Sequence, residues 1–165
     1  ENEIMSTFAI ADTIRAAYLA FQKRIETQSV SLITDTGDIT IESYPGMFYQ
    51  IFVILIGNSL THGFTEHGGT IEITIRRTDE TVRIEYRDNG RGIPHEAAGR
   101  IYDPFYTTNR AGGSTGLGLY VIYNIIVNTL GGHITLDNDS PQGVHFTIEI
   151  PLESNSALII PEHVL

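Results

Sequence analysis

The chain has no cysteine, few basic residues and no apolar run of membrane length. The first absence rules out disulfides and thiolate metal sites, and leaves the compartment open. Ten Lys and Arg stand against twenty Asp and Glu, for a formal charge of -10 and a pI near 4.9. Nucleic acids and anionic membranes are gripped by clustered cations, so neither fits as the main partner. A chain this acidic needs a divalent cation and a few local positive groups to hold a polyanionic nucleotide. No secretory signal opens the sequence, and a soluble domain with no direct membrane contact is expected. GxxxxGK[ST] is missing, which excludes a Walker phosphate loop. What remains, 165 residues of which 41% are hydrophobic, is sized for one globular domain over 1–165. Its core is expected over about 10–151, with 152–165 as a C-terminal tail whose role cannot be read. The start, ENEIMSTF, has an internal Met and reads as cut from a longer protein.

The informative stretch runs from Tyr86 to Tyr120 and holds seven of the sixteen glycines, clustered at its two ends. At the first end, Val82, Ile84 and Tyr86 alternate with charged residues as in a half-buried strand, so Asp88 sits where a strand stops. Gly90 and Gly92 then let backbone approach a flat or charged ligand, because no Cβ stands in the way. Taken alone, Asp88-Asn89-Gly90 reads more readily as a plain hairpin turn. At the second end, Ser114-Thr115-Gly116-Leu117-Gly118-Leu119 opens a helical run with Leu119, Ile122, Ile126 and Leu130 on one stripe, stopped by Gly131-Gly132. Two glycines in a first helical turn cost about 1 kcal/mol each relative to alanine, so they need a reason. A glycine-opened helix N-terminus turns free N–H groups and a positive dipole end toward an anion. A carboxylate at one end and such a helix mouth at the other suggest one nucleotide held at both.

Elsewhere the patterns are structural. Ile10 to Glu26 is an amphipathic helix, and Val30 to Thr34 with Ile39 to Glu42 reads as a hairpin about Asp35-Thr36-Gly37. Pro45-Gly46 starts a second helix, apolar nearly all round from Phe48 to Ile56 and hence buried, in which Ile54, Asn58 and His62 share a face. Asn58 is a poor helix former and wants a polar partner there, although a satisfied core asparagine would look the same. His62 fits a helix-terminal histidine as well as a ligand-facing one. Thr70 to Arg77 pairs across Asp79-Glu80 with the strand ending at Asp88. A short helical turn over His95 to Arg100 leads to Ile101-Tyr102-Asp103-Pro104-Phe105-Tyr106, where Phe105 is expected to anchor a lid against the core. Arg110 in that lid is a fork for phosphate oxygens or a solvated surface residue. His133 to Asn138 and Val144 to Ile150 supply two last strands, with His133 and His145 expected at the surface.

Together these residues resemble the sensor histidine kinases. Asp88-x-Gly90-x-Gly92 is similar to their first glycine box, Asp103-Pro104-Phe105-Tyr106 to the F box, Thr115-Gly116-Leu117-Gly118-Leu119 to the second glycine box, and Asn58 with His62 to the N box. The resemblance covers roughly residues 10 to 151. It implies the Bergerat fold, shared with DNA gyrase, heat-shock chaperones of the ninety-kilodalton class and mismatch-repair ATPases. That fold is a two-layer α/β sandwich: a mixed, mainly antiparallel sheet, three main helices on one face and a flexible ATP lid.

By the same resemblance, Asp88 accepts from the adenine amine beside Gly90, Gly92 and Ile93, and Asn58 coordinates Mg²⁺. Phe105, Thr107, Thr108, Arg110, Gly113, Ser114, Thr115, Gly116, Leu117, Gly118 and Leu119 form the lid and phosphate side. The implied function is transfer of the γ-phosphate of MgATP to a histidine on a dimerisation domain that this chain does not contain. The general base lies there too. No catalytic residue is therefore nominated within the chain, and alone it is expected not to phosphorylate itself. Implied partners are that helical phosphoacceptor domain, a response regulator and a second copy of the parent, in the cytoplasm whether or not the parent is membrane-anchored.

The departure is Ile54, where histidine kinases commonly carry a second asparagine and gyrase-like enzymes a water-activating glutamate. Isoleucine supplies neither, which implies no hydrolysis and weaker metal coordination. The alternatives kept open are a non-catalytic nucleotide-binding scaffold and an anti-sigma-type serine kinase of the same fold.

Overall fold

Period-two alternation places Ile71, Ile73 and Ile75 of one strand and Val82, Ile84 and Tyr86 of the next on a single face, and all six are buried. The computed structural model describes residues 3–108, 111, 115–137, 139 and 142–153. Its elements among those residues are β1 (Ser6–Ala9), α1 (Ile10–Thr27), β2 (Val30–Asp35), β3 (Thr40–Ser43), α2 (Pro45–Asn58), β4 (Gly69–Arg77), β5 (Thr81–Asp88), α3 (Gly118–Tyr123), β6 (His133–Leu136) and β7 (His145–Pro151). A five-stranded sheet runs in the order β2-β4-β5-β7-β6, with β2 parallel to β4 and the other neighbours antiparallel. This is the expected mixed, mainly antiparallel sheet. Its buried face meets Ile10 and Ile14 of α1, Phe48, Ile51, Phe52, Leu55 and Ile56 of α2, and Ile122 of α3 in one core. Two layers result, as the amphipathic and all-apolar helices require. No helix among the described residues is long and apolar enough to cross a membrane.

Three expectations are corrected. The hairpin expected over 30–42 does not form. β2 joins β4 instead, Leu32 opposite Ile71, while β3 pairs antiparallel with β1, Ile41 opposite Phe8. Alternation identifies a strand but not its partner, and the segment before α1 supplied an edge that β3 took. Second, α2 and α3 both lose α-geometry at their C-terminal ends. Ser59–Gly63 follows α2 as a π-helical turn and Asn124–Thr129 follows α3 in the same way. Such wide turns favour sites where a side chain must be re-aimed.

Third, Phe105 is not packed against the core: it is 62% exposed. Its backbone takes φ +64°, in a turn closed by Tyr106 N–H to Asp103 C=O at 3.2 Å, and the ring is carried outward. The buried anchor of that segment is Ile101, with Tyr102 packed on Tyr123 at 5.2 Å between ring centres. Of the two histidines expected at the surface, His133 is exposed. The His145 side chain is only 12% exposed, between Asp137 and Glu85.

Candidate functional site

The α2 helix lies under the sheet because its apolar residues go nearly all round, and its last turn brings polar groups to the end of β5. Asp88, the last residue of β5, is 6% exposed, one of few buried polar residues among those described. Burial of an ionisable group without partners would be costly, and this one has three donors. Ser59 Oγ–H donates to its Oδ2 at 2.6 Å, and Gly90 N–H and Val144 N–H donate to Oδ1 at 3.0 and 3.1 Å. The carboxylate is thereby fixed from the helix, from its own turn and from the strand beyond.

The turn after Asp88 is packed through backbone on the π-helical turn that follows α2. A Cβ on Gly90 would fall inside van der Waals contact of the Gly63 carbonyl oxygen, and Arg91 N–H donates to that oxygen at 2.9 Å. A Cβ on Gly92 would lie 2.9 Å from the Gly143 oxygen. From sequence, Gly90 and Gly92 are open to a ligand. In the structure their bare faces meet protein backbone, so these glycines set the shape of the site by close packing. Ile93, next in the chain, packs against the core.

The second glycine cluster meets the same helix one residue earlier. A Cβ on Gly118, the first residue of α3, would lie 3.0 Å from Ile54 Cγ2 and 3.5 Å from Asn58 Oδ1. The amide of Asn58 therefore faces the mouth of α3, while its neighbour Ser59 holds Asp88. Gly116 is not in the helix, as its place in the glycine run suggests, but in the turn before it, where a Cβ would lie 2.5 Å from the Phe105 carbonyl carbon and 2.7 Å from the Tyr106 carbonyl oxygen. Leu117 caps α3, whose first bond runs from Val121 N–H to Leu117 C=O at 2.9 Å. First-turn N–H groups have no acceptor within a helix. Leu119 packs on the core, Thr115 and Thr108 are exposed, and Thr107 is half-buried. Arg110, Gly113 and Ser114 lie outside the described residues.

Sequence reasoning missed Ser59, Tyr86, Gly63 and Gly143 as parts of the site. Ser59 was visible as a second polar residue beside Asn58 in an apolar helix. Gly143 looks in sequence like a turn residue and nothing more, whereas its φ of +73° lets the chain pass directly over the Asp88 backbone.

His62, in the π-helical turn, is half-buried, and its pKa is pushed below the usual 6.5 first by burial and then by the Arg91 charge. The unfolded chain therefore takes up this proton at a higher pH than the folded one. Stability is full above pH 6.5 and is lost as pH falls through the depressed folded value. In urea melts between pH 7.5 and pH 5, His62→Gln is expected to flatten part of the acid-side decline. An unchanged slope would remove His62 from it.

The same arrangement of sheet and helices occurs in known proteins. A family model described as histidine kinase-, DNA gyrase B-, and HSP90-like ATPase matches residues 43–154. The signal transduction histidine-protein kinase BaeS of Escherichia coli (strain K12) is 33% identical over 139 residues, 81% of this chain and 29% of that protein. The catalytic domain of histidine kinase ThkA superposes with a TM-score of 0.76 at 30% identity, covering 90% of this chain and 98% of that one. ThkA in complex with the response regulator protein TrrA gives 0.74 at 27% identity, covering 92% of this chain and 43% of that one. The chain spans 29%, 22% and 24% of the length of the first curated relatives it matches.

Proposed function

Because the chain belongs to the family of histidine kinase-, DNA gyrase B- and HSP90-like ATPases and has the fold of a histidine-kinase catalytic domain, we propose that it presents the γ-phosphate of MgATP to a histidine elsewhere in its parent protein. The observation that supports this best is the convergence on two successive residues at the end of α2. Ser59 holds the Asp88 carboxylate and Asn58 faces the Gly118 backbone, so the base-reading and phosphate-facing groups border one helix end.

Asp88 then accepts the exocyclic amine of adenine through the lone pairs its three protein donors leave free. Gly90, Gly92 and Ile93 shape the floor. The α3 mouth, Thr115 to Leu119, faces the phosphates, with Thr107 and Thr108 on the lid side and Phe105 at its rim, and Arg110, Gly113 and Ser114 are assigned to the lid by the resemblance alone. His62, kept neutral near pH 7 by its lowered pKa, can accept or donate without adding charge.

Mg²⁺ suits this donor set in one way only. Among the described residues there is no group of three or more His, Cys, Asp or Glu able to hold a metal, and Ile54 offers no oxygen. A hard cation taking its remaining ligands from phosphates and water needs only the Asn58 amide from the protein. When bound, the cation neutralises phosphate charge. The chain itself positions the nucleotide and offers a preorganised dipole, which is most of what phosphoryl transfer asks of a protein.

The domain is a single one with its core in about 10–151, a bound that the end of β7 at Pro151 supports. Its partners are a helical dimerisation domain carrying the acceptor histidine, in a homodimeric cytoplasmic parent, and a response regulator like the one in the ThkA complex. The test is phosphotransfer from γ-labelled ATP by the full-length parent. The expected result is Mg²⁺-dependent label that is acid-labile, as phosphohistidine is. Acid-stable label on a partner serine would instead make it a serine kinase, and no label with intact ATP binding would make it a scaffold.

A further inference from the structure

Three short contacts link the α2 backbone to Asp88 through two hydroxyls. The Tyr86 hydroxyl lies 3.0 Å from the Leu55 carbonyl oxygen and 2.6 Å from Ser59 Oγ, and Ser59 Oγ lies 2.6 Å from Asp88 Oδ2. Tyr86 is 1% exposed and Ser59 2%, so water does not compete for either. Burial raises the phenol pKa well above its ordinary range, and Tyr86 keeps its proton.

Two hydroxyl protons must serve three contacts when Asp88 is ionised. The Leu55 carbonyl already accepts the backbone N–H of Ser59, so it loses little if Tyr86 turns away. The arrangement that leaves no hydroxyl oxygen facing another without a proton between them sends both protons toward the carboxylate: Tyr86 O–H to Ser59 Oγ, and Ser59 O–H to Asp88 Oδ2. We infer that Ser59, backed by Tyr86, is a positioning residue that orients Asp88 as a pure acceptor and so sets selection for a nucleobase bearing an amine donor. The inference rests on the proposed reading of Asp88 as the base-contacting group. Neither Ser59 nor Tyr86 touches the nucleotide in it. They act by fixing which oxygen of Asp88 keeps a free lone pair.

Inosine triphosphate is the discriminating probe, since it places a carbonyl where adenine has its amine. Affinities for ATP and ITP are measured on the wild-type chain, Ser59→Ala and Tyr86→Phe. The wild type is expected to prefer ATP by about tenfold or more, the weight of a hydrogen bond to a charged acceptor. Ser59→Ala should weaken ATP about tenfold and ITP little, collapsing the preference. Tyr86→Phe keeps the ring and the Ser59 donor, and should reduce the preference by a smaller factor of about three. A purely structural role would lower both affinities together and leave their ratio alone. An unchanged ATP-to-ITP ratio in Ser59→Ala overturns the inference; should the alanine variant fail to fold, an unchanged ratio in Tyr86→Phe overturns it equally. A wild type with no preference for ATP would instead sink the assignment of Asp88 itself.

Discussion

Asp88→Asn is expected to abolish measurable ATP binding while leaving the fold intact. The carboxylate accepts from Ser59 on one oxygen and from the Gly90 and Val144 N–H groups on the other. An amide in its place must aim its NH₂ at one of these two sets. Turned toward Gly90 and Val144, it sets donor against donor. Turned the other way, it meets Ser59 and the adenine amine with two protons where an acceptor is needed. Hydrogen bonds to a charged acceptor are worth about 1.5–3 kcal/mol each, so losing the ligand's bond and adding a donor clash should weaken binding by more than about 100-fold. The core is untouched, since the substituted atoms lie at the end of β5. Calorimetry with MgATP gives the affinity and far-ultraviolet circular dichroism the fold. Unchanged affinity in a folded variant would refute the role given to Asp88.

Gly143→Ala should act on the same carboxylate from the opposite side, and by a different mechanism. Its φ of +73° lies in the left-handed region, where a side chain is strained by about 1–3 kcal/mol. The added Cβ would also fall inside contact of the Asp88 carbonyl oxygen and 2.7 Å from Asp88 Oδ1. Backbone on both sides has nowhere to go, and overpacking of this kind costs about 1–3 kcal/mol more. A loss of about 2–6 kcal/mol in stability is expected, together with weakened ATP binding, because Val144 N–H would be pushed off Asp88. Urea denaturation measures the first. Gly99→Ala is the control: a Cβ there meets nothing within 4 Å, so its stability should stay within about 0.5 kcal/mol of wild type. Equal stability of the two variants would show that the crossing of Gly143 over Asp88 is not tight.

Much of this was legible in the residues, because the strongest signals were periodic. Alternation marked β4, β5 and β7 with their buried faces, three-and-four spacing marked α1, and a Pro-Gly start followed by a long apolar run marked α2. Asp88, Asn58 and Gly118 were found because each departs from its local pattern: a carboxylate after an apolar strand, an amide in an apolar helix, a glycine opening one. The structure brings all three to one end of α2. What stayed hidden depends on partners distant in sequence. Nothing in Val30 to Ser43 says that β2 will run parallel to β4 while β3 turns back to β1. Ser59 and Tyr86 are 27 residues apart and meet only because the π-helical turn after α2 lies over the end of β5. Phe105 misled for a related reason. An aromatic residue after a proline looks like an anchor until the backbone sign at its own position is known.

The claim that everything else needs is that a single nucleotide spans from Asp88 to the mouth of α3. Backbone amide shifts during a titration with MgATP test it directly, reading the Gly90 and Val144 signals beside Asp88 and the Gly118 and Leu119 signals at the helix start. Both pairs are expected to move along one saturation curve with a single dissociation constant. Movement of one pair alone, or two curves with separate midpoints, would mean that the two ends do not share a ligand.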